Sequence, residues 1–241
     1  MSSYPVQKPV TQGFLTSSIG RKWIVAITGL LLIGFITLHL LGNLSIFLGP
    51  EMMNAYAEKL HHLGPLLWIA RIGLLAVAGA HIFFTILLWR ENSKAHPQKY
   101  AVAHSLQTTV YARSMRLSGL VVLGFVLFHL AQLTWEWVNP DYKNWFDVVG
   151  RRDVYRMLID SFSSPYVVGF YLLSVGLLAI HLSHGIASLF QTLGCTNAQL
   201  RPRFERAGLI VAWLFFLGYA SIPAAVFFKL LPYVASSCCL P

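Results

Sequence analysis

Five stretches of the chain run for twenty or more residues with few or no charged side chains, and nothing else in the sequence limits the fold as strongly. They cover about residues 22–48, 66–89, 117–138, 166–190 and 208–231. A helix needs about 20 mostly apolar residues to cross the hydrocarbon core of a bilayer. A backbone in lipid must satisfy its own hydrogen bonds, which leaves helices or closed barrels. The apolar runs do not alternate with polar residues as barrel strands do. The expected fold is therefore an all-α membrane protein, one domain over residues 1–241, with five transmembrane helices in a bundle.

Composition agrees. Only 11% of the 241 residues are charged and 56% are apolar, whereas soluble domains carry about 25% charged residues. The net charge of +9 would suggest nucleic acid in a soluble protein. Here the basic residues fall between apolar segments, so they report membrane orientation and no nucleic-acid partner is expected. The N-terminal stretch, the connection at about 90–116 and that at about 191–207 hold eleven Lys and Arg; the other side holds seven, four of them in a long mixed loop. This places the N-terminus on the cytoplasmic side. The N-terminal residues lack the apolar run of a signal peptide. Cys195, Cys238 and Cys239 form no CxxC or CxxCH pattern, so neither zinc nor covalently attached haem is indicated. No strong internal repeat stands out.

Histidine carries the chemistry. His39, His81, His129 and His181 each lie deep in a different one of the first four spans, and His184 follows His181 by three residues. Ionisable groups at such depth are costly and mark function. The prolines Pro50, Pro65, Pro140 and Pro165 mark the outer ends of these spans and give a depth ruler. His39 and His129 are each 11 residues from their proline, and His81 and His181 are each 16. At about 1.5 Å per residue the two levels lie roughly 16 and 24 Å below the markers. His39 pairs with His129 outward, and His81 with His181 inward. Two imidazoles supply the two axial ligands of a haem iron, so four in two layers suggest two stacked b-type haems. Zinc would want three or four protein ligands per site. Gly42, Gly79, Gly119, Gly124 and Gly185 would let a flat ring approach the backbone. The plain alternative is interhelical hydrogen bonding without a cofactor. Depth alone separates His181 from His184 only weakly.

The sequence resembles a known family. Four segments carry the likeness: RKWIVAITGLLLIGFITLHLLGN around His39, AHIFFTILLW around His81, RLSGLVVLGFVLFHLAQ around His129, and SSPYVVGFYLLSVGLLAIHLSHGIASLFQTLG around His181. In this order they resemble the cytochrome b membrane anchor of succinate dehydrogenase and fumarate reductase, in its single-subunit, five-helix, di-haem form. The likeness covers about residues 18–231. The family's H-x-S-x-G pattern selects His181 as ligand and leaves His184 outside the pair.

The resemblance implies a succinate:quinone oxidoreductase subunit in a bacterial cytoplasmic membrane, binding two haem b. Its partners would be a flavoprotein subunit, which holds the dicarboxylate chemistry, and an iron–sulfur subunit that exchanges electrons with the anchor. Its own substrate would be a membrane quinone, often menaquinone in complexes of this type. Family members use a Glu near the outer end of the second span for quinol chemistry; His61 stands at about that place here, with Glu58 three residues before it. These two are the candidates for quinone proton transfer. Arg21, Arg113 and Arg116, with Lys22, Thr28 and Ser118, are candidate propionate partners of the inward haem; Arg71, Arg151 and Arg152 are candidates for the outward one. Two other readings compete. One is a haem b anchor for a different membrane oxidoreductase, such as nitrate reductase or hydrogenase, which the motif around His181 disfavours. The other is a haem-free transporter or assembly protein with structural histidines.

Overall fold

The computed structural model describes residues 13–95 and 110–232. Ser17 starts the first helix: its hydroxyl accepts the Gly20 backbone N–H and satisfies one of the free amides of α1, Ser18–Asn43. Prolines open three further helices, where their missing N–H costs nothing. These are α2 (Pro50–His61), α3 (Pro65–Ala95) and, after α4 (Val110–His129) and α5 (Val154–Ser161), the long α6 (Pro165–Thr192). The last helix, α7, is Arg201–Phe227 and contains Pro223. Five of these segments are long and apolar enough to cross a membrane: Ser18–Leu48, Pro65–Ser93, Met115–Thr134, Pro165–Thr192 and Arg201–Phe227. Among the described residues there is no strand, only an isolated bridge between Phe146 and Arg152.

The spans differ from the sequence expectation by four residues or more at five ends: the first starts at Ser18, the second ends at Ser93, the third ends at Thr134, and the fifth runs from Arg201 to Phe227. The third stops at Thr134, because a π-turn over Leu130–Thr134 ends it and Glu136 then takes a positive φ of 56°. The fifth starts seven residues earlier than expected, since Arg201, Arg203 and Arg206 are accommodated in its first turns at the end of the bundle. The connections at one end also hold structure that lacked a sequence signal, namely α2 and α5.

The helices pack unevenly. α6 lies against α7 and α4, and α1 lies against α3. Gly208 permits the α6–α7 approach, since a Cβ there would stand 2.7 Å from the Ser183 carbonyl oxygen. Leu182, Ile186, Ala212 and Phe215 fill that contact. By contrast, α1 with α4 and α3 with α6 are not among the closely packed pairs. Large apolar side chains such as Leu30, Leu38, Ile72 and Leu214 are exposed along the spans, as expected where the surrounding solvent is lipid.

The end of the bundle carrying α2 and α5 is closed by a polar cap. Arg151 grips both carboxylate oxygens of Glu51, at 2.9 and 2.6 Å, and also donates to Asp147 Oδ2 at 2.8 Å. The hydrogen bond from Arg151 holds the Glu51 carboxyl below its usual range. Burial alone would raise Asp147, but hydrogen bonds from the Arg151 and Val149 amides and the Arg151 guanidinium outweigh it and lower this carboxyl too. Depressed carboxyl pKa values stabilise the fold above the unfolded-state value of about 4 and lose that contribution as pH falls through the folded-state values. Thermal stability should therefore fall between about pH 5 and pH 3, and Arg151→Met should flatten that dependence. Melting curves across this range check it; an equal slope in the variant would remove the cap as its source.

Candidate functional site

Each of the four central histidines sits on a different helix: His39 on α1, His81 on α3, His129 on α4 and His181 on α6. The structure brings the His39 and His129 rings together with centroids 5.8 Å apart, edge to face. His81 and His181 lie on α3 and α6, each beside a hydroxyl of the adjacent helix. His184 instead neighbours Glu205 and Arg201 at the start of α7.

The surroundings of the two levels are distinct. Phe35 stacks on His39 at 5.3 Å, and Tyr219 lies at 6.3 Å while its hydroxyl donates to the Ile36 carbonyl at 2.6 Å. His129 Nδ1 is 3.2 Å from the Tyr171 hydroxyl, which donates to Gln132 Oε1 at 2.8 Å. At the other level, His81 Nδ1 is 3.1 Å from Thr28 Oγ1, and His181 Nδ1 is 3.3 Å from Ser118 Oγ. Gly29 and Gly119 let these rings lie close, since a Cβ on either would meet the ring at 3.3 and 3.5 Å.

This symmetry exposes a repeat missed in reading the chain. Thr28-Gly29, Gly34-Phe35 and His39-Leu40 on α1 recur at identical spacing as Ser118-Gly119, Gly124-Phe125 and His129-Leu130 on α4. The hydroxyl–glycine pair grips the histidine of the neighbouring helix, and the histidine eleven residues on belongs to the other level. The repeat would have singled out Thr28 and Ser118 as histidine partners. Tyr171 and Gln132 leave no such signal.

The residues fit a planar, metal-centred group. The donors come in pairs, and among the described residues no three His, Cys, Asp or Glu cluster as a protein-only metal site; a pair is what a macrocycle-bound iron requires. The helices carrying each pair are not closely packed, and a Cβ at Gly34, Gly79, Gly124 or Gly185 would meet no protein atom within 4 Å. Ser174, on α6 between Tyr171 and His181, is fully buried, and its hydroxyl has no hydrogen-bond partner among the described residues.

The cationic candidates are distributed otherwise. Arg21 pairs with Glu91 and donates to the Leu15 carbonyl at 3.0 Å. Arg116 lies over the Trp89 ring and Arg71 over Trp68. Arg151 is held by Glu51 and Asp147, and Arg152 by Glu136. The Arg113 side chain lies outside the described residues.

A groove of about 470 Å³ opens beside the His39 turn, lined by Leu38, Leu41, Gly42, Ser45, Tyr56 and Leu60. Tyr56 comes so close to α1 that a Cβ on Gly42 would meet its hydroxyl at 2.2 Å. Glu58 and His61 are not in the lining; Glu58 faces His62 at 3.8 Å, and His61 is exposed. No protein-family model, curated protein or solved structure matches this chain.

Proposed function

We propose that the chain is the di-haem cytochrome b anchor of a succinate:quinone oxidoreductase. The carrying observation is the set of four histidines on four helices long enough to cross a membrane, with the His39 and His129 rings 5.8 Å apart across helices that are not closely packed. On this reading His39 and His129 hold one haem b, and His81 and His181 hold the other. Bound haem would supply one-electron transfer. The protein's part is to set the two levels along the bundle, to keep water out with the aromatic residues around His39 and His129, and to join an iron–sulfur partner to membrane quinone. The flavoprotein and iron–sulfur subunits would dock on the cytoplasmic side of a bacterial inner membrane. Purified with its partners, the chain should show sharp reduced α-bands and two haems per copy, and the partners should be a flavoprotein and an iron–sulfur protein. A purified complex without a reduced α-band would sink this reading.

The quinone, menaquinone on the likeness to the family, is assigned to the groove beside His39. Its apolar walls suit a quinone ring and the start of its isoprenoid tail, and Ser45 and Tyr56 are the polar groups within reach of the ring oxygens. Glu58 and His61, on the same short helix α2, remain the proton carriers to the aqueous side. Loss of general acid–base help costs a hundredfold or more, so His61→Ala or Glu58→Gln should slow quinone turnover by about that factor. Both haem spectra and dicarboxylate turnover with an artificial acceptor should stay intact. Normal quinone turnover in both variants and in Tyr56→Phe would place the site elsewhere.

A further inference from the structure

We propose that three hydroxyls, those of Tyr171, Thr28 and Ser118, are positioning residues that fix which nitrogen of His129, His81 and His181 faces the cofactor. The inference rests on the di-haem reading above.

Each hydroxyl has one proton to give, and in each case it is already committed. Tyr171 donates to Gln132 Oε1, Thr28 to the Ile24 carbonyl at 2.7 Å, and Ser118 to the Met115 carbonyl at 3.2 Å. The hydroxyl oxygen can then only accept from the imidazole beside it. Nδ1 must carry the ring proton, and Nε2 keeps its lone pair for a metal. Such partners orient a ligating histidine and raise its basicity.

The Tyr171 relay is built with care by the fold. Directly after His129 the α-helix widens into the π-turn Leu130–Thr134, which carries Gln132, 2% exposed, to the same tyrosine that His129 reaches. π-turns of this sort concentrate at functional sites. Phe125, Phe128 and Phe162 pack edge-on around the Tyr171 ring at 5.0, 6.3 and 4.9 Å and hold its hydroxyl in place.

The test is redox titration, with low-temperature spectra, of the purified full-length complex. Tyr171→Phe should keep both haems and raise the midpoint potential of one component only. Partners of this kind are worth about tenfold in ligand–metal affinity, and a tenfold change is about 59 mV for a one-electron couple. Gln132→Leu should shift the same component, and the double variant should shift no further than Tyr171→Phe alone. Ser118→Ala should shift the other component and leave the first unchanged. A merely structural role would give additive changes or disturb both components together. If the wild-type complex holds no haem, the functional reading fails and this inference with it. If it holds two haems and Tyr171→Phe and Ser118→Ala leave both potentials at wild-type values, this inference alone is overturned. Ser118 lies outside the aromatic cluster, so its arm decides the matter even if Tyr171→Phe does not accumulate.

Discussion

Replacing His39 or His129 by alanine should remove one and the same haem and leave the other in place. The two residues lie on α1 and α4, in helices that are not closely packed, yet their rings stand 5.8 Å apart. Bis-imidazole ligation fails when either nitrogen is lost, so both variants should fall from two haems per chain to about one and lose the same redox component. His81→Ala and His181→Ala should remove the other component. His184→Ala should retain both, since His184 sits near Glu205 and Arg201 at the start of α7. Haem counts and redox titration of the five variants check this. If His39→Ala and His81→Ala erase the same component, the pairing is wrong. If His184→Ala loses a haem that His181→Ala keeps, the fourth ligand is misassigned.

Asn54→Leu should open the cap at the α2/α5 end. Asn54 is 1% exposed and ties α2 to the start of α5. Its carbonyl accepts the Tyr155 amide at 3.0 Å, and its amide donates to Asp153 Oδ1 at 3.1 Å. Tyr155 is in the first turn of α5, where backbone N–H groups have no partner inside the helix. Asp153 caps the same turn through the Arg156 amide at 3.0 Å. Leucine would strand the Tyr155 N–H and take one hydrogen bond from a buried carboxylate. Stranding buried polar groups costs about 1–3 kcal/mol each and more beside a charge, so a local loss of about 3 kcal/mol is expected. Hydrogen exchange at the α5 amides should then speed up by about a hundredfold. The spans themselves should stay protected. Unchanged exchange at Tyr155 would show that Asn54 does not hold α5.

The five spans were legible because their signal is additive. Twenty apolar residues with few charges mark a helix long enough to cross a bilayer, whatever their neighbours do. The spacing of His81 from Pro65 and of His181 from Pro165 was equally a property of the linear chain, because these prolines start the helices that carry the two histidines; Pro50 and Pro140 are separated from His39 and His129 by turns, so that half of the ruler does not follow a regular rise. The Thr28–His39 and Ser118–His129 repeat was present in the sequence as well, but it acquires meaning only once the hydroxyls are seen against His81 and His181.

Other features belong to the tertiary structure alone. α2 and α5 are short and, in α2, weakly apolar, so they exist by virtue of their docking: Tyr56 against Gly42, Asn54 against Tyr155, Glu51 against Arg151. Arg21, Arg151 and Arg152 are candidate propionate partners along the chain, and in the fold each meets a carboxylate from another segment. The Tyr171–Gln132–His129 relay depends on a π-turn that no residue pattern announces and on two helices meeting at one depth. Periodicity determines which face of a helix is apolar. Which polar atom meets which across the bundle is decided by crossing angle and axial offset, and only three-dimensional packing sets these.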